Sequence, residues 1–94
     1  MSEVRQRIDV WLFRARLART RSAAARLVSE GGVRLLREGA SRQIDRASVE
    51  IAPGDALTFR NGKALRTVRV RQLGSRRGPA SEARTLYDDV GDAP

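Results

Sequence analysis

Three consecutive stretches decide the fold: Arg7-Ile8-Asp9-Val10-Trp11-Leu12-Phe13-Arg14-Ala15-Arg16, the link Leu17-Ala18-Arg19, and Thr20-Arg21-Ser22-Ala23-Ala24-Ala25-Arg26-Leu27-Val28-Ser29-Glu30-Gly31. Ile8, Trp11, Leu12 and Ala15 stand at i, i+3, i+4 and i+7, which puts one apolar stripe on a helix over about residues 7–16. Phe13 and Arg14 fall off that stripe and Arg16 lies on its flank. Ala24, Leu27, Val28 and Gly31 repeat the spacing on a second helix. Thr20 is placed to cap it, because its hydroxyl can accept from an unpaired N–H one turn in. Gly31 is placed to end it in the left-handed conformation. Two short helices joined by three residues make a helical hairpin.

After Gly32 the apolar period changes. Residues 33–36 and 48–51 read as short strands, and Ala52-Pro53-Gly54-Asp55 as a turn. Leu57 and Phe59 alternate with polar neighbours, and Asn61-Gly62 supplies a type I′ hairpin turn. Residues 65–73 return as a strand, with Val68 and Val70 inward and Thr67, Arg69 and Arg71 outward. A last helix begins at Pro79 or Ser81, with Ala83, Leu86, Tyr87 and Val90 as its stripe. The order is two helices, several short strands, then a helix: an α+β domain, with a helical hairpin on a small, mostly antiparallel sheet.

The chain has 94 residues, enough for a single small core. It contains no Cys and no His, which excludes thiol nucleophiles, disulfides, Cys/His zinc sites and imidazole acid–base chemistry. Asp9 is the one acid of its block, and no second acid or nucleophile stands near it for catalysis. No apolar run approaches the ~18 residues of a membrane span. The N-terminus carries no signal-like apolar stretch, so a cytoplasmic location is expected.

Lys plus Arg number 19 against 11 acids, a net charge of +8. Residues 5–26 hold seven Arg and one acid; residues 60–77 hold seven cations and no acid. The end is acidic, with Glu82, Asp88, Asp89 and Asp92. Charge that serves only solubility mixes its signs, whereas large single-sign blocks usually meet a partner, and an Arg-rich chain of this kind fits a polyanion. Arg presents a planar fork of donors to phosphate and also stacks on bases. Arg16, Arg19, Arg21 and Arg26 cluster at the start of the second helix, and Arg7 and Arg14 extend the surface along the first. Trp11, on the stripe, reads as core; Phe13 is the better stacking candidate unless the C-terminal segment covers it. Arg66, Arg69 and Arg71 read either as a second contact to such a polyanion or as an exposed sheet face.

Arg7-Ile8-Asp9-Val10-Trp11-Leu12, Arg16, Arg19-Thr20-Arg21, Ala24-Ala25-Arg26-Leu27-Val28, Gly31-Gly32-Val33-Arg34-Leu35 and Pro53-Gly54-Asp55 together resemble the S4 RNA-binding domain. Arg77-Gly78-Pro79-Ala80-Ser81-Glu82-Ala83, Leu86-Tyr87 and Asp9-Val10-Trp11-Leu12-Phe13 resemble the bacterial ribosome-associated heat-shock proteins of the fifteen-kilodalton class. Val10 stands where that family usually has Lys, and Leu36-Arg37 replaces the usual Asn-Gly. Residues 37–48 form a longer middle. The better-known members continue into a long basic tail, where this sequence runs through an acidic stretch to Pro94.

The resemblance implies an S4-type (alpha-L) fold over residues 5–73, with residues 74–94 as an extension carrying a short helix and an acidic, disordered end. It also implies non-catalytic binding of structured ribosomal RNA or tRNA, without a cofactor or metal. The expected partner is the large ribosomal subunit, in the recycling of stalled or dissociated translation complexes, with the protein a monomer, weak DNA binding and no membrane contact. The expected RNA-binding set is Arg7, Arg14, Arg16, Arg19, Thr20, Arg21, Arg26 and Arg34. Two other readings stay open: an RNA-targeting accessory of a separate modifying enzyme, and a nonspecific nucleic-acid binder.

Overall fold

In the computed structural model the described residues are 5–91. The chain opens with a two-residue strand, β1 (Gln6–Arg7), and turns into helix α1 (Ile8–Arg14). Ile8, Trp11, Leu12 and Ala15 are all fully buried, so the 3.6-residue stripe is the face that packs. Helix α2 (Arg21–Arg26) begins at Thr20, whose Oγ1 accepts from the Ala23 N–H at 2.9 Å. It continues into a π-helical turn, Leu27–Gly31. This extra half-turn moves the stop one residue on: the left-handed residue is Gly32, at φ 76°, and not Gly31 as the spacing predicted.

Strands β2 (Val33–Arg37) and β3 (Ala40–Ile44) form a tight hairpin across Glu38-Gly39, both at positive φ (51° and 81°). Strand β4 (Glu50–Ile51) pairs antiparallel with β1, and β5 (Ala56–Asn61) and β6 (Ala64–Val70) form the second hairpin. The turn of that hairpin is Gly62-Lys63, since Asn61 pairs with Ala64; it lies one residue later than Asn61-Gly62 suggested. With a last strand, β7 (Tyr87–Gly91), the five-stranded sheet has the order β3-β2-β5-β6-β7, all neighbours antiparallel.

The C-terminal segment departs from expectation. Helix α3 (Ala80–Ala83) passes through a 3-10 turn, Arg84–Leu86, and ends there. Tyr87–Gly91 is then strand β7, paired with β6. Ala83 and Leu86 are buried as an apolar stripe requires, but Val90 is exposed. The physical reason is that β6 offers an open edge, and its ladder satisfies backbone groups that a free helix end would leave to water. Asp92 and the disorder expected beyond Gly91 lie outside the described residues.

One face of the sheet (Val33, Leu35, Leu57, Phe59, Val68, Val70) closes over the two helices in a single core that includes the fully buried Trp11. The Trp11 indole N–H donates to the Gln72 carbonyl at 3.0 Å, and its ring meets Tyr87 edge-on at 6.4 Å. Two carboxylates, Asp9 and Asp55, are buried among the described residues, and Asp55 holds the turn before β5. It accepts from Arg37 Nε (3.0 Å), Arg37 Nη2 (2.8 Å) and the Ala52 N–H (2.8 Å), tying the end of β2 to the turn before β5.

Candidate nucleic-acid interface

The helical hairpin organises its arginines around one carboxylate. Asp9 is buried in the first turn of α1, where the helix dipole favours a negative charge. It accepts from Arg7 Nε at 3.0 Å and Nη2 at 2.9 Å, and Arg21 Nη2 stands 3.8 Å away. The hydrogen bonds to Asp9, and then its charge, raise Arg7 above the ordinary guanidinium value. Asp9 therefore orients two exposed cations, one from each helix, instead of cancelling the surface.

Arg19 and Arg26 are exposed and make no ion pair or side-chain hydrogen bond among the described residues. Thr20 is exposed, and its oxygen is already engaged as the cap of α2. Arg34, on β2, reaches across to Ser41 and Gln43 of β3 through long, exposed contacts of 3.3 and 3.4 Å. Arg7, Arg19, Arg21, Arg26 and Arg34 thus stand as exposed cations with weak or carboxylate-oriented tethers.

Arg14 and Arg16 are occupied differently. Arg14 Nη1 donates to the Gly74 carbonyl at 2.7 Å and Arg16 Nε to the Gly78 carbonyl at 2.6 Å. Arg16 sits at φ 60°, a left-handed conformation that costs a non-glycine residue ~1–2 kcal/mol. It lines a groove of about 340 Å³ with Arg77 and Arg84. Both side chains clamp the loop after β6 against the end of α1. Gln6 joins them, donating to the Gly74 carbonyl at 2.8 Å.

The two aromatic expectations resolve along the same loop. Trp11 is buried as core. Phe13 is covered by the Arg77 guanidinium, 4.9 Å from its centroid, so the C-terminal segment occupies the face a base would use. Arg77 Nη2 also donates to the Ala18 carbonyl at 3.3 Å.

Three of the seven cations of the second basic block are paired with the acidic end. Arg66 holds Asp89 at 3.0 and 3.2 Å and lies 5.5 Å from the Tyr87 centroid. Arg71 faces Asp88 at 3.5 Å, and Arg76 faces Glu82 at 2.7 Å. Hydrogen bonds to these acids raise Arg66 and Arg76 above their ordinary values. Sequence reasoning assigned no role to Arg60 or to the Arg37–Asp55 pair. Only the hairpin register brings Arg60 beside α2, and only the fold brings positions 37 and 55 together.

No helix among the described residues is long and apolar enough to cross a membrane. The S4 domain family matches residues 6–35, the segment that holds β1, both helices and most of β2. Heat shock protein 15 of Escherichia coli (strain K12) is 33% identical over 90 residues, covering 96% of this chain and 64% of that protein. The heat shock protein 15 homolog of Haemophilus influenzae is 30% identical over 90 residues, covering 96% and 65%. The chain thus spans just under two thirds of the length of these relatives. A solved trimeric structure of Vibrio cholerae heat shock protein 15 superposes with a TM-score of 0.77 at 30% identity, covering 92% of this chain and 82% of that one.

Proposed function

The chain belongs to the heat shock protein 15 family of S4-domain proteins, and from this premise we propose that it binds structured RNA on the ribosome through the exposed arginines of its helical hairpin. The observation that carries the reading is the exposed set Arg7, Arg19, Arg21 and Arg26 on the hairpin, with Arg34 on the adjoining β2, all inside the segment matched by the S4 family. Planar guanidiniums offered to solvent around a buried carboxylate suit phosphate oxygens and unstacked bases. Arg14 and Arg16 act in this reading by holding the C-terminal loop, and Thr20 by capping α2.

The protein does no chemistry in this proposal and needs no cofactor or metal. It works in the cytoplasm on ribosomal RNA or tRNA, with the free large subunit as its partner in recycling stalled or dissociated complexes. The test is co-sedimentation with cell ribosomes, followed by competition with ribosomal RNA, tRNA and duplex DNA at one moderate salt concentration. Travel with large subunits and preference for ribosomal RNA or tRNA are expected; equal competition by duplex DNA refutes the reading. Equilibrium sedimentation of the free protein checks the expected monomer against the three-copy assembly of the Vibrio cholerae relative.

Neutralising ~4–6 phosphates gives a slope of log K against log salt of about −3 to −5, and a slope near zero refutes electrostatic binding. Arg19→Ala with Arg21→Ala should weaken RNA binding while stability moves by less than ~0.5 kcal/mol, as exposed substitutions do. Unfolding of that double variant would make the two residues structural.

A further inference from the structure

We propose that the outer face of the five-stranded sheet is a second RNA surface, which takes a single-stranded segment continuing from the structured element held by the hairpin. The proposal rests on the RNA-binding reading above and extends it from the helices onto the sheet, with Arg26 and Arg34 at the junction. Two grooves meet at Gly31 and Arg60. One, of about 620 Å³, lies between α2 and the β5–β6 turn and is lined by Arg26, Glu30 and Arg60. The other, of about 140 Å³, runs from Gly32 onto the sheet between Arg34, Gln43, Thr58 and Leu65. Arg60 belongs to both, at the point where a strand leaving α2 passes onto the sheet.

The register places Arg34 opposite Thr58, Thr58 opposite Thr67, and Arg60 opposite Leu65, so these side chains are neighbours on one face. The helices pack on the opposite face, with Val33, Leu35, Leu57 and Val68. Leu65 is 51% exposed and Leu36, on the same outer side, 42%. Along β2, β5 and β6 this face carries Arg34, Arg60 and Arg69 and no acid. Two acids border it: Glu30 lines the first groove, and Asp88 of β7 is the register partner of Arg69 and stands 3.5 Å from Arg71, so the open cationic track is the Arg34–Arg60 side of the face.

Single strands are held by a cationic track for the backbone and by flat groups, aromatic rings or guanidinium planes, on which the bases stack. Arg34 and Arg60 supply both the charge and the flat plane, and the exposed Leu36 and Leu65 add apolar contact beside them. A duplex, read mainly through its phosphates and 2′-hydroxyls, has no use for the leucines. Arg34 can exchange its long contacts to Ser41 and Gln43 for a phosphate or a base edge, and Arg60 makes no side-chain hydrogen bond among the described residues.

The experiment compares a blunt RNA hairpin with the same hairpin carrying a six-nucleotide single-stranded tail at either end, by fluorescence anisotropy over a salt series. For the native chain a tail should raise affinity roughly fivefold or more and steepen the salt slope by about 0.7 for each added phosphate contact. Arg60→Ala and Leu65→Ala should remove the gain, leaving blunt-hairpin affinity within about twofold of the native chain; Arg60→Lys should restore the slope. Arg19→Ala with Arg21→Ala should weaken both probes by the same factor. Equal binding of tailed and blunt probes by the native chain overturns the sheet surface alone, as does an equal loss on both probes in Arg60→Ala. A native chain that binds neither probe overturns the RNA reading beneath it.

Discussion

Arg37→Met isolates the pair that locks the end of β2 to the turn before β5. Asp55 is only 3% exposed, and two of the three hydrogen bonds its carboxylate accepts come from Arg37. Removing the guanidinium leaves a buried charge with the Ala52 N–H as its remaining donor. Breaking a buried pair this way costs ~3–5 kcal/mol. The Arg37 side chain is 31% exposed, so water can partly replace it, and the expected cost falls to about 2–3 kcal/mol. For a domain of this size that lowers Tm by about 10–20 °C. Asp55→Asn keeps an acceptor for Ala52 and should cost less, about 1–2 kcal/mol. The assay is urea unfolding of the parent, both single variants and the double variant. A coupling energy of at least about 1 kcal/mol is expected, with RNA affinity per folded molecule unchanged. Two results refute the reasoning: an Arg37→Met variant within ~0.5 kcal/mol of the parent, or a cost of that substitution unaltered in the Asp55→Asn background.

Trp11→Ala should cost ~3–5 kcal/mol and unfold much of the population, since it empties the core and orphans the Gln72 carbonyl; retained folding with lost RNA binding, by circular dichroism and anisotropy, would make Trp11 a base platform. Deleting residues 87–94 should cost about 2–4 kcal/mol, from Tyr87 burial and its edge contact with Trp11, while hairpin-RNA affinity per folded molecule changes little; tighter binding at unchanged stability would mark the acidic strand as an internal competitor for the arginines. The raised guanidiniums of Arg7, Arg37, Arg66 and Arg76 contribute their full stabilisation below the unfolded-state value and lose it only as pH rises through the folded one, in strongly alkaline solution. With no His in the chain, urea midpoints should stay level between pH 6 and pH 9, and a step in that window would expose a titrating group outside this account.

The helical hairpin was legible because a buried helix face writes its period into the sequence, and Ile8, Trp11, Leu12 and Ala15 obey it without exception. Strand β3 was not legible. Its residues Ala40 to Gln43 are exposed on an edge and carry no apolar alternation, and its turn places Glu38, a residue with no turn signature, at positive φ. Strand β7 was misread for the opposite reason. Leu86, Tyr87 and Val90 fit a helical stripe, but pairing with β6 is a long-range choice that local spacing does not encode. Among the candidate residues, composition correctly marked a concentration of arginine on the hairpin. It had no means of separating Arg19 and Arg26, which face solvent, from Arg14 and Arg16, which face backbone carbonyls.

The clamp on the loop after β6 grips main chain, not side chains: Trp11, Gln6, Arg14 and Arg16 all donate to carbonyl oxygens, at positions 72, 74 and 78. Every residue type carries that oxygen, so this grip is blind to what the loop spells, apart from Arg77, whose own side chain lies on Phe13 and donates to the Ala18 carbonyl. Ser75 and Arg76, both exposed, are therefore open to substitution without moving the helices. Gly74 and Gly78 are the exceptions, because a methyl group at 74 would press against Arg14 Cβ and Leu86 Cδ1, each 3.0 Å away, and one at 78 would run into the Glu82 carboxylate. A saturation library across positions 72–78 should accordingly tolerate wide variation at 75 and 76 and reject side chains at 74 and 78. The segment can drift in sequence, acquiring or shedding charge to suit a new partner, while the geometry it braces stays fixed.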